Sequence, residues 1–487
     1  MIAGLAAVTP SVMPAKRGQV SVDDRPNIVV LQTDDQTADS LRFMPEVRRL
    51  LEKQGTTFTR YFASYPLCCP SRATYFSGQY AHNHGVEYNT APTGGFYAFR
   101  HIKTTFPVAL RRAGYRTIHI GKYLNGYGRR NPKQVPPGWS DWEGSVDPFT
   151  YRYYDFVLNV NGRLRRFGPR AYQTNVYSQL AVEKIRSAAR RHQPLFLDVA
   201  FLAPHAVDRE TSGLDPEDQE AVGKPHTRHG IRYPVPAPRD FGKFVHARLP
   251  DRPAFDEAHV SDKPPNIRAR PRFTPTEVTD IRRNYRFRLE TLAAVDRAVR
   301  RIVHVLRATN QLDRTDILFL SDNGFFHGEH RVPYGKYLPY EPSARVPLVV
   351  RGPGIASDVR TDALTSNVDL APTILDLAGT KPLRRQDGHS LLPLLRDPHH
   401  APPADAVLLE SGPNVVGAPV YHAVRTARYK LVEYRDGARE LYDLKHDPYE
   451  LTNRAGDRAF RAVERRLHHR LARLRACKGR ACRRADS

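Results

Sequence analysis

Five short apolar runs, each closing on polar or charged residues, set the tightest limit on how this 487-residue chain can fold. "NIVVLQTDDQ" starts at Asn27 and closes on Asp34 and Asp35, and "YRTIHIGKYLNG" reaches Lys122. "PLFLDVAFLAPH" reaches His205, and "TDILFLSDNG" reaches Asp322 and Asn323. "RVPLVVRGPG" closes the series with only Arg351 ionisable at its tip. The runs are continuous, not alternating, as strands buried on both faces of a parallel sheet should be. Helical patterns lie between them. "MPEVRRLLEKQG" ends on Gly55, a residue suited to a helix C-terminus. From Arg288 to Thr309, Leu289, Leu292, Val295, Val299, Ile302 and Leu306 recur every three or four positions as one apolar stripe. Alternating strands and helices predict an α/β fold, with a large mixed, mostly parallel sheet sandwiched by helices. Ligands of such sheets bind at the carboxyl ends of the strands. Here four of those ends carry Asp-Asp, Lys, His and Asp-Asn.

The rest of the chain divides by texture. Residues 1–24 begin with small and apolar residues, "MIAGLAAVTP", with no basic residue ahead of them; they read as a signal remnant or a mis-set start. A main domain covers 25–395. Within it, 207–275 is rich in proline and mixed charge with little periodicity, which reads as a surface insertion bordering a substrate cleft. From 396 to 487, short β-like pieces such as "YHAVRTARYKLVEYRDG" precede a basic helix, predicting a smaller antiparallel α+β subdomain. Cys477 and Cys482, in "ACKGRACRR", are spaced for a small loop-closing disulfide, which fits a secreted or cell-envelope protein. Zinc there lacks two further ligands. No apolar run approaches the roughly 20 residues that cross a bilayer. The formal charge of +24 favours polyanions as partners, but arginine is scattered along the chain as a compositional bias would scatter it, and no nucleic acid is expected.

Asp34, Asp35, Asp322 and Asn323 offer hard oxygen ligands from two strand ends. That set suits calcium or magnesium, and no thiolate or imidazole cluster argues for zinc. The other two of the 4 cysteines stand side by side in "SYPLCCPSRATYFSGQY". Adjacent cysteines rarely bridge each other, so either one joins a distant partner or one of them serves chemistry.

"LCCPSRATYFSG" resembles the signature of the type I, formylglycine-dependent sulfatases of the alkaline-phosphatase-like superfamily: Cys-x-Pro-Ser-Arg, here Cys68, Cys69, Pro70, Ser71 and Arg72. The family's other landmarks appear in order as "TDDQ", "GKYLNGYG", "APH", "SDNG" and "ELYDLKHDPYELTN", so the resemblance spans nearly the whole chain. The doubled cysteine, "GKYLN" and "FDEAHVSDKP" look closest to the N-acetylglucosamine-6-sulfatase branch. The resemblance implies that a formylglycine-generating enzyme oxidises Cys68 to formylglycine, an aldehyde whose hydrate attacks the sulfur of a sulfate monoester. Loss of a proton from the second hydroxyl then expels sulfate, an exit a plain serine or cysteine lacks. It also implies one calcium ion held by Asp34, Asp35, Cys68, Asp322 and Asn323. Arg72 would steady the modified Cys68, Lys122 and Lys336 would hold sulfate oxygens, and His205 would stand near the leaving group. Arylsulfatases commonly carry a histidine where this chain has Leu124, so that acid/base role stays open; Asn125 follows, as in the N-acetylglucosamine-6-sulfatase branch. His327 and His330 stand just past the acidic pair and are left outside the catalytic set. The implied substrates are sulfated sugars or aryl sulfates. The alternatives are a phosphomonoester or phosphonate ester hydrolase of the same superfamily and a catalytically silent, basic glycan-binding protein.

Overall fold

The structure, a computed structural model, describes residues 25–191, 193–207, 233–412 and 419–487. All five apolar runs form strands: β1 (Asn27–Thr33), β2 (Arg116–Gly121), β3 (Leu195–Ala200), β4 (Thr315–Ser321) and β5 (Leu348–Arg351). β1 pairs in parallel with β3 on one side and β4 on the other, and β2 pairs in parallel with β3. The order β4-β1-β3-β2 therefore places four run ends at one edge of the sheet. β5 runs antiparallel to β4, which explains why its tip carries no comparable polar cluster. Ten strands complete the sheet, with short pieces outside β5 and three strands from Asp141 to Phe167 beyond β2.

Strand side chains alternate between two cores. Val29, Leu31, Ile118, Ile120, Leu197 and Val199 pack with the helices Gln173–Ala189 and Pro275–Ala308. Ile28, Val30, Phe196, Leu318 and Leu320 face the other side, with the helices Cys68–Ser77, Phe106–Arg112 and Leu370–Leu377. Continuous runs result because both faces are dry; each such side chain contributes about 1.5–3 kcal/mol.

The remaining residues build the second unit. β6 (Ala406–Glu410), β7 (Tyr421–Thr426), β8 (Tyr429–Tyr434) and β9 (Arg439–Asp443) form an antiparallel four-stranded sheet. The basic helix Arg461–Leu474 lies against it through Leu467, Leu471 and Leu474, and Cys477 is disulfide-bonded to Cys482.

Three details differ from the sequence reading. The long helix starts at Pro275, well before Arg288, because Thr274 and Glu277 form a reciprocal capping box and Pro275 takes the first helical position. Gly55 closes a 3-10 turn, Glu52–Gln54, and not the α-helix, which ends at Leu50; it is extended, with a Cβ there lying 2.2 Å from the Val350 carbonyl oxygen. Close approach to β5 demands the glycine. The strand Arg163–Phe167 escaped notice because it is an exposed edge reading "RLRRF", with no apolar run to mark it. The proposed N-terminal remnant lies outside the described residues, as does the stretch 208–232 of the proposed insertion.

Candidate active site

Every sequence-predicted site residue arrives at the carboxyl edge of the parallel strands. Asp34 and Asp35 follow β1, and Asp35 adopts a left-handed φ of 70°. Asp322 and Asn323 follow β4, and His205 follows β3 by a short turn. Lys122 follows Gly121, whose φ of +104° and closeness to the Ala200 carbonyl (a Cβ would lie 2.1 Å away) admit only glycine. Cys68 opens the helix Cys68–Ser77, and all ten residues of that helix are buried. Lys336 comes from the loop between β4 and β5.

The side chains interlock. Cys68 Sγ donates to Asp34 Oδ1 at 3.3 Å, and Lys336 Nζ lies 2.8 Å from the same sulfur. Lys122 Nζ pairs with Asp34 Oδ2, and Lys336 Nζ with Asp35 Oδ1. Arg72 donates through Nε to Asp322 Oδ2 at 2.8 Å and through Nη1 to the Lys122 carbonyl at 2.6 Å. His205 donates through Nδ1 to the Ala206 carbonyl at 2.6 Å, which leaves Nε2 3.8 Å from Asp35 Oδ2. One ligand atom each from Asp34, Asp35, Cys68 and His205 fits within 4.8 Å of the others. Asp322 and Asn323 flank that quartet: Asp322 Oδ1 accepts from the backbone N–H groups of Asp35 (3.2 Å) and Asn323 (2.8 Å), and Asn323 Nδ2 donates to Asp35 Oδ1 at 2.6 Å.

The residues suit a hard divalent cation. Three carboxylates converge, and the buried Asn323 Oδ1 has no hydrogen-bond partner among the described residues. An orphaned buried acceptor costs about 1–3 kcal/mol, which a cation would recover.

Burial and charge set the protonation states. Burial alone would push the Asp34 carboxyl up, but Lys122, with His205, Arg72 and Lys336, holds it well below the usual carboxylate range. Asp35 is likewise lowered against its burial, chiefly by Lys336. Asp322 goes the other way, because burial and the Asp34 charge outweigh Arg72. Burial, reinforced by Asp34, raises the Cys68 thiol far above its ordinary value. Burial thus opposes ionisation of an unmodified Cys68 thiol, which disfavours it as a nucleophile.

Two residues escaped the sequence reading. Arg288, buried on the long helix, donates through Nη2 to the Asp35 carbonyl at 2.5 Å and lies 3.7 Å over the Phe325 ring. An arginine beside Leu289 and Leu292, on the buried stripe itself, was the available signal. Tyr151 sits between Lys122 (4.9 Å over its ring) and the His205 ring (5.2 Å), and its hydroxyl accepts from Asn125 Nδ2 at 2.6 Å. Nothing local in "FTYRYY" distinguishes it. His330 is committed elsewhere, bonded to Glu257 at 2.7 Å. His327 is buried against Tyr285 and makes no hydrogen bond or ion pair with the Asp34–Cys68 cluster.

The sulfatase family model matches residues 26–380, the whole of this edge included. The chain belongs to the sulfatase family. A second family model, the C-terminal region of N-sulphoglucosamine sulphohydrolase, matches residues 328–477 of this sulfatase. The arylsulfatase of Volvox carteri is 34% identical over 499 residues, covering 94% of the chain and 76% of the relative. Human N-acetylglucosamine-6-sulfatase is 31% identical over 505 residues, covering 94% and 86%. A protein solved in complex with its substrate D-glucosamine-2-N,6-O-disulfate shares the fold, with a TM-score of 0.75 at 24% identity over 92% of this chain and 97% of the other. The protein is a sulfatase, a sulfuric ester hydrolase, and carries an acidic cluster able to hold a metal ion.

Proposed function

We propose that this sulfatase hydrolyses 6-O-sulfate esters of glucosamine-type sugars, using Cys68 as formylglycine and one calcium ion at Asp34, Asp35, Asp322 and Asn323. The observation that carries the reading is the placement of Cys68 Sγ within 3.3 Å of Asp34 and 2.8 Å of Lys336, at the end of four parallel strands. The relatives named for N-acetylglucosamine-6-sulfate and the fold neighbour solved with a 6-O-sulfated glucosamine support the substrate class.

Calcium and the hydrated aldehyde, once in place, would supply charge neutralisation and an oxygen nucleophile. The protein's own residues do the rest. Asp34, Asp35 and Asp322 bring three negative charges, and Arg72, Lys122 and Lys336 three positive ones. Neutrality then requires that a bound dication be matched by two anions, which a sulfate monoester and an ionised nucleophile provide. Lys122 and Lys336 clamp sulfate oxygens from two sides, with Lys122 buried and Lys336 largely so, where fixed cations act strongly. Arg72, pinned to Asp322 and the Lys122 carbonyl, orients the Cys68 side chain. His205, which burial lowers to a pKa of about 4 and whose Nδ1 holds the ring proton, turns an unprotonated Nε2 toward the reacting centre, where it accepts a hydrogen bond and orients the substrate. Maturation requires a formylglycine-generating enzyme, and the Cys477–Cys482 disulfide suits a secreted or cell-envelope site of action.

Peptide mass spectrometry of the protein co-produced with such an enzyme should find aldehyde at Cys68, and nitrophenyl sulfate should turn over faster than nitrophenyl phosphate. A retained thiol in active protein sinks the formylglycine reading. Preference for the phosphate sinks the substrate class.

A further inference from the structure

The disulfide loop at the C-terminus builds a second concave site far from the strand ends. Arg385, Lys478, Arg480 and Arg483 line a cavity of about 650 Å³, and Asp376 is its only acidic lining residue. The volume falls within the range of ligand-binding sites. Arg385, Lys478 and Arg480 form no ion pair among the described residues. In a second arginine-bearing concavity, Arg252 is paired with Asp39 and Glu329, and Arg345 with Asp39 and Glu341; in a third, Arg248, Arg282 and Arg286 also form no ion pair among the described residues, so it is the disulfide-held loop that sets this site apart.

The loop is also held rigidly. The disulfide closes it, Gly479 N donates to Asp387 Oδ1 at 2.7 Å, and the Cys477 carbonyl accepts from Asn83 Nδ2 at 2.9 Å. The cavity floor meets the far end of the Cys68 helix: Gln386 Nε2 donates to the Ser77 carbonyl, and Asp387 N to that of Gly78. That helix has ten residues, so at 1.5 Å per residue the two sites lie about 15 Å apart along its axis. A ligand here does not need to reach Cys68.

We propose that this cavity is an exosite for sulfated polysaccharide, gripping sulfate groups of a chain whose sensitive ester occupies the catalytic edge. The proposal rests on the sulfatase reading for its choice of ligand. Arginine guanidinium groups match tetrahedral oxyanions in paired hydrogen bonds, and the Arg483 guanidinium is already held by the Gln386 carbonyl. Single-stranded nucleic acid is the poorer match, because the one aromatic ring lining the cavity, His389, is tied to Asp486 at 3.0 Å.

The test uses full-length protein and a heparin-derived dodecasaccharide, with affinity measured by calorimetry at fixed salt. Lys478→Glu with Arg480→Glu keeps both cysteines. Arg163→Glu with Arg165→Glu, on the exposed edge strand, makes the same change of net charge elsewhere. The proposal expects at least a tenfold loss for the first pair, less than twofold for the second, and unchanged nitrophenyl sulfate turnover in both. Equal losses would reduce the effect to the general field of a +24 protein and overturn it, as would no loss. Stronger capture of a single-stranded DNA of matched charge at this cavity overturns the ligand class. If no variant or parent turns over nitrophenyl sulfate while the selective binding loss persists, the catalytic reading fails and the exosite stands.

Discussion

Lys430, between the C-terminal sheet and the main domain, is as buried as any lysine at the strand ends, yet its surroundings are finished. Its ammonium donates to the Pro339 carbonyl at 3.0 Å and pairs with Glu450 at 2.6 Å and Glu341 at 3.0 Å. Nearby, the fully buried Glu440 accepts from three hydroxyls, those of Tyr340, Tyr442 and Tyr434. Burial pushes the Glu440 carboxyl up while those hydroxyls pull it down. Every charge has its complement. At the catalytic edge, by contrast, Asn323 Oδ1 and Arg72 Nη2 have no hydrogen-bond partner among the described residues, and three carboxylates crowd together. A satisfied buried network joins two units; an unsatisfied one awaits a ligand.

That contrast can be broken at either end. The largest effect belongs to the unsatisfied site. Cys68→Ala should lower sulfatase activity by about 10³-fold or more, since a catalytic unit loses most of its power with one member. Stability should fall by only about 1 kcal/mol, read as a small shift in melting temperature. A fully active alanine variant would mean that chemistry happens elsewhere.

Lys430→Met should behave in reverse. It strands Glu450 as an uncompensated buried charge, while Glu341 keeps Arg345 and Arg425, at a cost of about 3 kcal/mol in chemical denaturation. The fraction that folds should keep its kcat. A variant as stable as the parent would show that the finished network contributes no net binding between the units.

Much of this division was legible in the sequence. Apolar runs ending in Asp-Asp, Lys, His and Asp-Asn announced both the parallel sheet and the edge where its polar tips meet, because burial on two faces and chain direction are local properties. The satisfied network was not legible. Lys430, Glu341 and Glu450 come from three distant segments, and each alone looks like an ordinary surface charge. Tyr151 was hidden for the same reason: its role follows from which loop folds over Lys122, and no pattern near it records that. Arg288 falls between these cases. Its place on an apolar stripe was visible, but its target was not.

Arg288 gives the next largest effect. It holds the carbonyl of Asp35, whose left-handed backbone is uncommon outside glycine. Arg288→Lys keeps the charge and loses the fixed geometry. By analogy with outer partners of metal ligands, the calcium concentration for half-maximal activity should rise by about 10- to 100-fold. KM for nitrophenyl sulfate at saturating calcium should stay unchanged. Loss of stability without any change in calcium demand would make Arg288 a packing residue only.

The smallest effect comes from His82, which ties the exosite loop to the catalytic domain. Its Nδ1 bonds Glu410 at 2.7 Å and its Nε2 faces the Cys477 carbonyl at 3.0 Å. Burial alone would lower its pKa, but the Glu410 charge and hydrogen bond overcome that and raise it to about 9. An unfolded histidine titrates near 6.5. Below that pH both states are protonated and the ion pair's stabilisation is complete. Between about 6.5 and 9 the folded protein retains a proton that the unfolded chain has released, so stability must fall as pH rises. With the ring partly open to solvent, the total should be no more than about 1–2 kcal/mol. The urea midpoint of the parent should therefore decline across this window, while His82→Gln, which cannot titrate, should lose that part of the slope. Identical slopes would mean that Glu410 does not hold the proton on His82, and that the loop is anchored by Asn83 and Asp387 alone.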